Sequence, residues 1–287
     1  MGLDLTSALF LIGHKLRGVD FGRTLTLGHQ GNYLSESEYQ EVLSLLGKSH
    51  KKYMAFSDGF FEALGVQKLE FMDASDYEGA TIIHDLNDPL PREFEQKWSC
   101  VIDGGTLEHV FNFPEAIKTC MACVEENGHL ILITPWHHYA GHGFYQFSPE
   151  LFYRILSLEN GFSLEKMLIH QSGKWFSVDD PDNFGARVED HGNEQTILYI
   201  SAKRLRVVPI FSKWPQQSDY SKAWALGSAI QPNQTGHIKT FKRFLTERSF
   251  LLLSIQTRWR AFKVRIGQKQ KRSTWRHPVP QDNGIPT

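Results

Sequence analysis

"CVIDGGTLEHVFNFPEAI", residues 100–117, is the stretch on which the fold reading turns. An apolar run through Ile102 stops at Asp103, two glycines follow, and Pro114 opens a helix pattern, "PEAIKTCMACVEEN", that Gly128 closes. That is a strand, a tight turn and a helix in under thirty residues. The next strand, "HLILIT" at 129–134, is again almost wholly apolar. Such runs are expected for strands covered on both faces.

The same alternation extends in both directions. Strands are expected at 24–28, 68–74, 81–85, 163–170 and 196–202 as well. Ser35 and Glu38 form a capping box, with Gly47 as the stop. Ser57 opens "DGFFEAL", ended by Gly65, and Ser148 opens "PELFYRILSLEN", ended by Gly161. Repeated β–α alternation predicts an α/β sheet with helices on both faces. The polar stretch 172–194 reads as a long loop.

Charge divides the chain. Residues 1–200 hold 14 Lys+Arg against 29 Asp+Glu, a balance of −15, while 201–287 hold 17 against 3, a balance of +14. After 206 the β–α pattern gives way to a linker, and from Ile238 to Ile266 apolar residues recur at helical spacing among lysines and arginines. The expected layout is a helical lead-in (1–21), the α/β domain (22–205), a linker (206–236) and a basic amphipathic helix with a tail (237–287). That helix fits docking on the acidic domain, solvation, or an anionic membrane surface. No nucleic-acid motif accompanies it, so a nucleic-acid partner is not expected. Three cysteines make no disulfide framework, and no basic n-region precedes the apolar start. A cytoplasmic chain is expected, peripheral to a membrane if the basic helix docks there. No run approaches the ~20 apolar residues of a membrane span.

Residues 68–162 resemble a class I S-adenosylmethionine-dependent methyltransferase domain. The likeness rests on "KLEFMDASDYEGATIIHDLNDPLP", "CVIDGGTLEHVFNFPEAI", "VEENGHLILITPW" and "GHGFYQFSPELFYRILSLENGF". It implies a doubly wound, Rossmann-like, mixed seven-stranded sheet and S-adenosylmethionine as cofactor. It further implies that Asp73, closing the second strand, binds the ribose hydroxyls and that Asp85-Leu86 lie beside the adenine. Asp103, at the end of the fourth strand, falls on the cofactor side. The departure is the opening loop. The family's acidic-x-Gly-x-Gly-x-Gly falls on Thr26 to Asn32, where only Gly28 fits. Gln30 replaces the glycine that lets backbone and ligand approach. Its amide can hydrogen-bond the cofactor or fill the space.

Methyl transfer needs alignment and often a base. His109 and His142 are the candidate bases, because an imidazole suits proton removal from a hydroxyl or amine. His109 fits a structural hydrogen bond equally well. Glu108, Tyr145 and Gln146 are candidate acceptor contacts, though a capping carboxylate and lid packing explain them too. No metal is expected: His137, His138 and His142 cluster without an acidic or cysteine partner nearby, and Cys120-x-x-Cys123 has no second pair. The expected activity is methyl transfer to a hydroxyl or amine of a small molecule or glycan. The alternative is a non-catalytic module of the same fold. A dinucleotide oxidoreductase is disfavoured, since Gly28 and Gly31 lack a third glycine.

Overall fold

A computed structural model describes residues 2–49, 51–184, 187–190, 192–225 and 275–287. The chain opens with β1 (Gly2–Leu3) and α1 (Leu5–Leu16), the helix capped by Asp4, whose carboxylate accepts the Ser7 amide at 2.7 Å. Next come β2 (Arg23–Leu27), β3 (Gly31–Asn32), α2 (Glu36–Leu45) and α3 (Asp58–Leu64). The expected capping box at Ser35 and Glu38 forms. The middle holds β4 (Lys68–Asp73), β5 (Ile82–Ile83), β6 (Trp98–Asp103), α4 (Phe113–Cys123) and β7 (Val124–His137). It continues through α5 (Pro149–Ile155), β8 (Phe162–Gln171), β9 (Lys174–Val178), α6 (Pro181–Phe184), β10 (Thr196–Arg204) and α7 (Ser218–Ala225). Short strands β11 (Arg276–Pro278), β12 (Gln281–Asp282) and β13 (Ile285–Pro286) close it.

The main sheet runs β11-β9-β8-β10-β7-β6-β2-β4-β5. The five strands from β7 to β5 are parallel. β10 enters between β7 and β8, antiparallel to both. The Rossmann-like α/β expectation holds, but among the described residues the sheet has nine strands rather than seven. The extra pair has two separate causes. Ser172 and Gly173, both at positive φ, make a two-residue hairpin that folds Lys174–Val178 back on β8. β11 then pairs with β9 at the sheet's edge, where Pro278 needs no ladder donor. The helix expected over 238–266, and with it any membrane contact, lies outside the described residues.

Helix α4 stops at Cys123, short of the expected Gly128. Val124 already pairs with Trp98, and the next pair is His129 with Cys100, so residues 125–128 bulge out with Asn127 at φ 69°. The buried Arg204 guanidinium donates to the carbonyls of Met121, Ala122 and Val124 at the end of that helix.

The strands alternate between two cores. Leu130 and Leu132 join Ile117 and Met121 of α4 and Phe152 of α5. Ile131 and Ile133 join Phe10 and Leu11 of α1 and Phe60 and Phe61 of α3. Burial of this kind contributes about 1.5–3 kcal/mol per large apolar side chain.

The last thirteen residues are integral to the fold. Trp275 is buried and meets Trp136 edge-on at 5.6 Å. The Trp175 indole donates to Gly284 O at 2.9 Å, and Arg17 of the loop after α1 donates to Pro286 O at 2.9 Å. Trp275→Ala is expected to cost about 3–5 kcal/mol in urea denaturation, as for a fully buried aromatic. An unchanged midpoint would show that this terminus is not part of the folded unit. Nearby, burial holds the His14 imidazole down to about 3. The unfolded chain takes up that proton near its ordinary value of 6.5, so stability from this group is complete above pH 6.5 and falls as pH drops toward 3. His14→Gln, which cannot charge, is expected to show a smaller loss of urea midpoint between pH 7 and pH 5 than wild type.

Candidate functional site

In an open α/β sheet, ligands bind beyond the carboxyl ends of the strands where the strand order reverses. Here that place is between β2 and β6. The chain steps outward from β2 through β4 to β5, then returns to the other side of β2 as β6. Gly28 and Gln30 lie in the loop after β2, and Asp73 and Asp103 are the last residues of β4 and β6.

The loop after β2 is tightly held. Gly28 turns at φ 69°, a conformation costly for other residues, and its amide donates to Met72 O at 2.8 Å. Thr26, where an acid was the family expectation, is fully buried, and its hydroxyl donates to Gly28 O at 2.7 Å. The Gln30 amide donates to Leu27 O at 2.7 Å, and the Thr106 hydroxyl donates to the same carbonyl at 3.1 Å. Gln30 is buried and lies on Gly104, where any Cβ would collide with its Oε1. The Gln30 amide is thus engaged within its own loop, with its Oε1 against Gly104. Asp73 is half-buried, with Oδ2 3.6 Å from where a Cβ on Gly28 would stand, so its carboxylate faces the turn.

His29, unremarked in the sequence, is built into this loop. Its ring lies between Phe56 and Phe71, with centroids at 3.7 and 4.0 Å. Nε2 pairs with Asp58 Oδ2 at 2.9 Å, and Nδ1 meets Glu78 O at 2.8 Å. Both nitrogens are thus engaged.

Asp85 and Leu86 follow β5. The exposed Asp85 carboxylate accepts from the amide and side chain of Asn87, which holds it below the usual carboxylate range. Leu86 is buried in the core beside Met72.

Asp103 is fully buried. Oδ1 accepts the amides of Gly105 at 3.2 Å and Thr106 at 2.7 Å, while Oδ2 has no hydrogen-bond partner among the described residues. Burial pushes this carboxyl up to about 6, against the pull of those amides. Glu108 is also fully buried, and neither oxygen accepts a hydrogen bond among the described residues. Burial raises it to about 8, the Asp103 charge adds to this, and a weak pull from the nearby Thr134 hydroxyl opposes it.

His142 arrives from the loop after β7, its Nε2 3.4 Å from Glu108 Oε1. His109, exposed, meets the His142 ring edge-on at 4.9 Å. The two histidines singled out in the sequence are therefore neighbours, with Glu108 behind them. The loop is latched to Glu108 through its backbone: the amides of Phe144 and Tyr145 donate to Glu108 O at 2.7 and 3.2 Å. Gly143, at φ 73°, is the residue that lets the loop pass so close, since a Cβ there would stand 2.7 Å from Glu108 O. Tyr145 and Gln146 brace the same loop, the phenol donating to Phe111 O at 2.7 Å and the amide oxygen accepting Tyr139 N at 2.8 Å.

No family model and no curated protein matches the chain. Among solved structures it is similar to the branched-chain polyamine synthase of Thermus thermophilus: 13% identity over 75% of this chain and 60% of that one, TM-score 0.39. The chain thus spans 60% of the synthase's length. It is also similar to the 1,6-didemethyltoxoflavin-N1-methyltransferase of Burkholderia thailandensis, solved with S-adenosylhomocysteine, at 12% identity over 70% and 80% of the two chains, TM-score 0.39. A third is a putative methyltransferase from Bacillus halodurans, at 10% identity over 71% and 99%, TM-score 0.37. Likeness at this level bears on fold alone. The sheet's own strand order, a parallel core from β7 to β5 with β10 reversed between β7 and β8, is that of a Rossmann-like α/β fold.

The Gln30–Gly104 contact gives a direct test. Gly104→Ala is expected to cost about 1–3 kcal/mol through overpacking. In a Gln30→Ala background most of that cost should vanish, a coupling that a double-mutant cycle in urea reads out. Additive effects would place the amide elsewhere.

Proposed function

We propose that this chain transfers a methyl group from S-adenosylmethionine to a hydroxyl or amine of a small molecule or glycan. The observation that carries the reading is the grouping at the switch point of three carboxyl groups and two imidazoles, on the loops and strand ends of β4, β6 and β7. The residues fit the cofactor on one side. Asp73 faces the Gly28 turn as a ribose ligand would, and the Asp103 Oδ2 is a buried acceptor with no partner among the described residues. Asp85, exposed in the turn after β5, is the candidate contact on the adenine side, with Leu86 packed in the core behind it. When bound, the cofactor supplies an electrophilic methyl on a sulfonium, and the protein supplies alignment.

Proton removal from the acceptor falls to the cluster of Glu108, His109 and His142. Glu108 lies where the loop carrying His142 is latched, so it positions that imidazole. The exposed ring pair Phe111 and Phe144, with centroids 6.0 Å apart, edges this end of the crevice and suits the flat or apolar part of an acceptor.

A non-catalytic module of the same fold is the second reading. It rests on Gln30, which occupies space that a glycine would leave to the ligand.

Calorimetry with S-adenosylhomocysteine separates the two. Wild type is expected to bind, and Asp73→Ala to weaken binding at least tenfold, about 1.4 kcal/mol. No binding at millimolar ligand, with binding appearing in Gln30→Gly, would establish the second reading.

A further inference from the structure

The cluster on the acceptor side has a geometry that acid–base chemistry alone does not explain. One ligand atom each from Glu108, His109 and His142 lie within 4.8 Å of one another. Glu108 is fully buried and aimed into the group, yet neither of its oxygens accepts a hydrogen bond among the described residues. The His142 Nε2 facing it is buried and likewise lacks one. At 3.4 Å these two atoms are drawn together but not bonded in hydrogen-bond geometry. Metal bonds of about 2.1 Å in a tetrahedral field set ligand atoms about 3.4 Å apart. The separation is thus that of two ligands sharing one cation.

We propose that Glu108, His109 and His142 bind a divalent transition-metal cation of the zinc class. Two imidazoles and one carboxylate are a donor set that such cations take, with a position left for an outside oxygen or nitrogen. Two of the three ligands are set by the fold. Glu108 is fixed in the short 3-10 turn Leu107–His109 that follows β6, and His142 is fixed because Gly143 and the amides of Phe144 and Tyr145 close on the Glu108 backbone. His109, exposed at the rim, completes the set. The sequence alone argues against a metal because His137, His138 and His142 have no acidic or cysteine neighbour, and the fold brings the acid from the turn after β6. The open position faces the acceptor side, where the cation would hold an acceptor hydroxyl and ease loss of its proton to solvent. That use rests on the methyl-transfer reading; binding of the cation does not.

The test uses the full chain, stripped with a chelator. Titration with Zn²⁺ by calorimetry, and with Co²⁺ by visible absorption, is expected to show one site of micromolar affinity or tighter and a tetrahedral-type Co²⁺ spectrum. Glu108→Gln and His142→Ala should each weaken it at least tenfold. His109→Ala, at an exposed position that leaves folding intact, should do the same, while His137→Ala should not. Absence of a tight site, or a site indifferent to His109→Ala, overturns the proposal. S-adenosylhomocysteine binding, measured on the same preparation, fails or succeeds independently and judges the methyl-transfer reading by itself.

Discussion

One carbonyl oxygen ties the crevice together. Leu27, the last residue of β2, receives the Gln30 amide from its own loop and the Thr106 hydroxyl from the loop after β6. The two loops that flank the reversal in strand order are thereby fixed to each other. Asp103, whose carboxylate holds the amides of Gly105 and Thr106, shapes the second loop, and Glu108 follows two residues after Thr106. The positions of the acids at the strand ends therefore depend on a short chain of polar contacts starting at that oxygen. Buried and mutually satisfied, such contacts are worth more than exposed ones and cost more to break.

Most of the parallel half of the sheet was legible because its signals are local. Apolar runs, a Ser–Glu capping box and glycines at helix ends each follow from a few adjacent residues, and the observed elements sit within a few positions of where those signals put them. The missing strands were not local in the same sense. Lys174–Val178 is a short hairpin arm in a polar stretch, and only the positive φ of Ser172 and Gly173 makes it a strand. Arg276–Pro278 pairs with a partner about a hundred residues earlier, and its proline argues against a strand when read alone. The premature end of α4 at Cys123 follows from Val124 pairing with Trp98, a tertiary demand that overrides helix propensity.

The site divides in the same way. Gly28, Asp73 and Asp103 stand out only through the family resemblance, and the fold sets them at the ends of neighbouring strands. His109, His142 and Glu108 could be named, but not joined, because the contact between Glu108 and His142 crosses from one loop to another. Tyr145 and Gln146, candidate acceptor contacts by sequence, brace in the fold the loop that brings His142 in. His29 went unnoticed. A histidine inside a glycine turn is an unusual residue there, and that was the available signal. Its sandwich between Phe56 and Phe71 depends on segments distant in sequence.

The strand made by residues 276–278 has a consequence for how the chain is made. It covers the outer side of β9, which until then presents unpaired amides and carbonyls along a sheet edge. Synthesis runs from the amino terminus, so the nine-stranded sheet cannot be completed until residue 278 has left the ribosome. For that interval the half-built protein carries an open template for pairing with another copy of itself, and the cell's chaperones have a defined surface to guard.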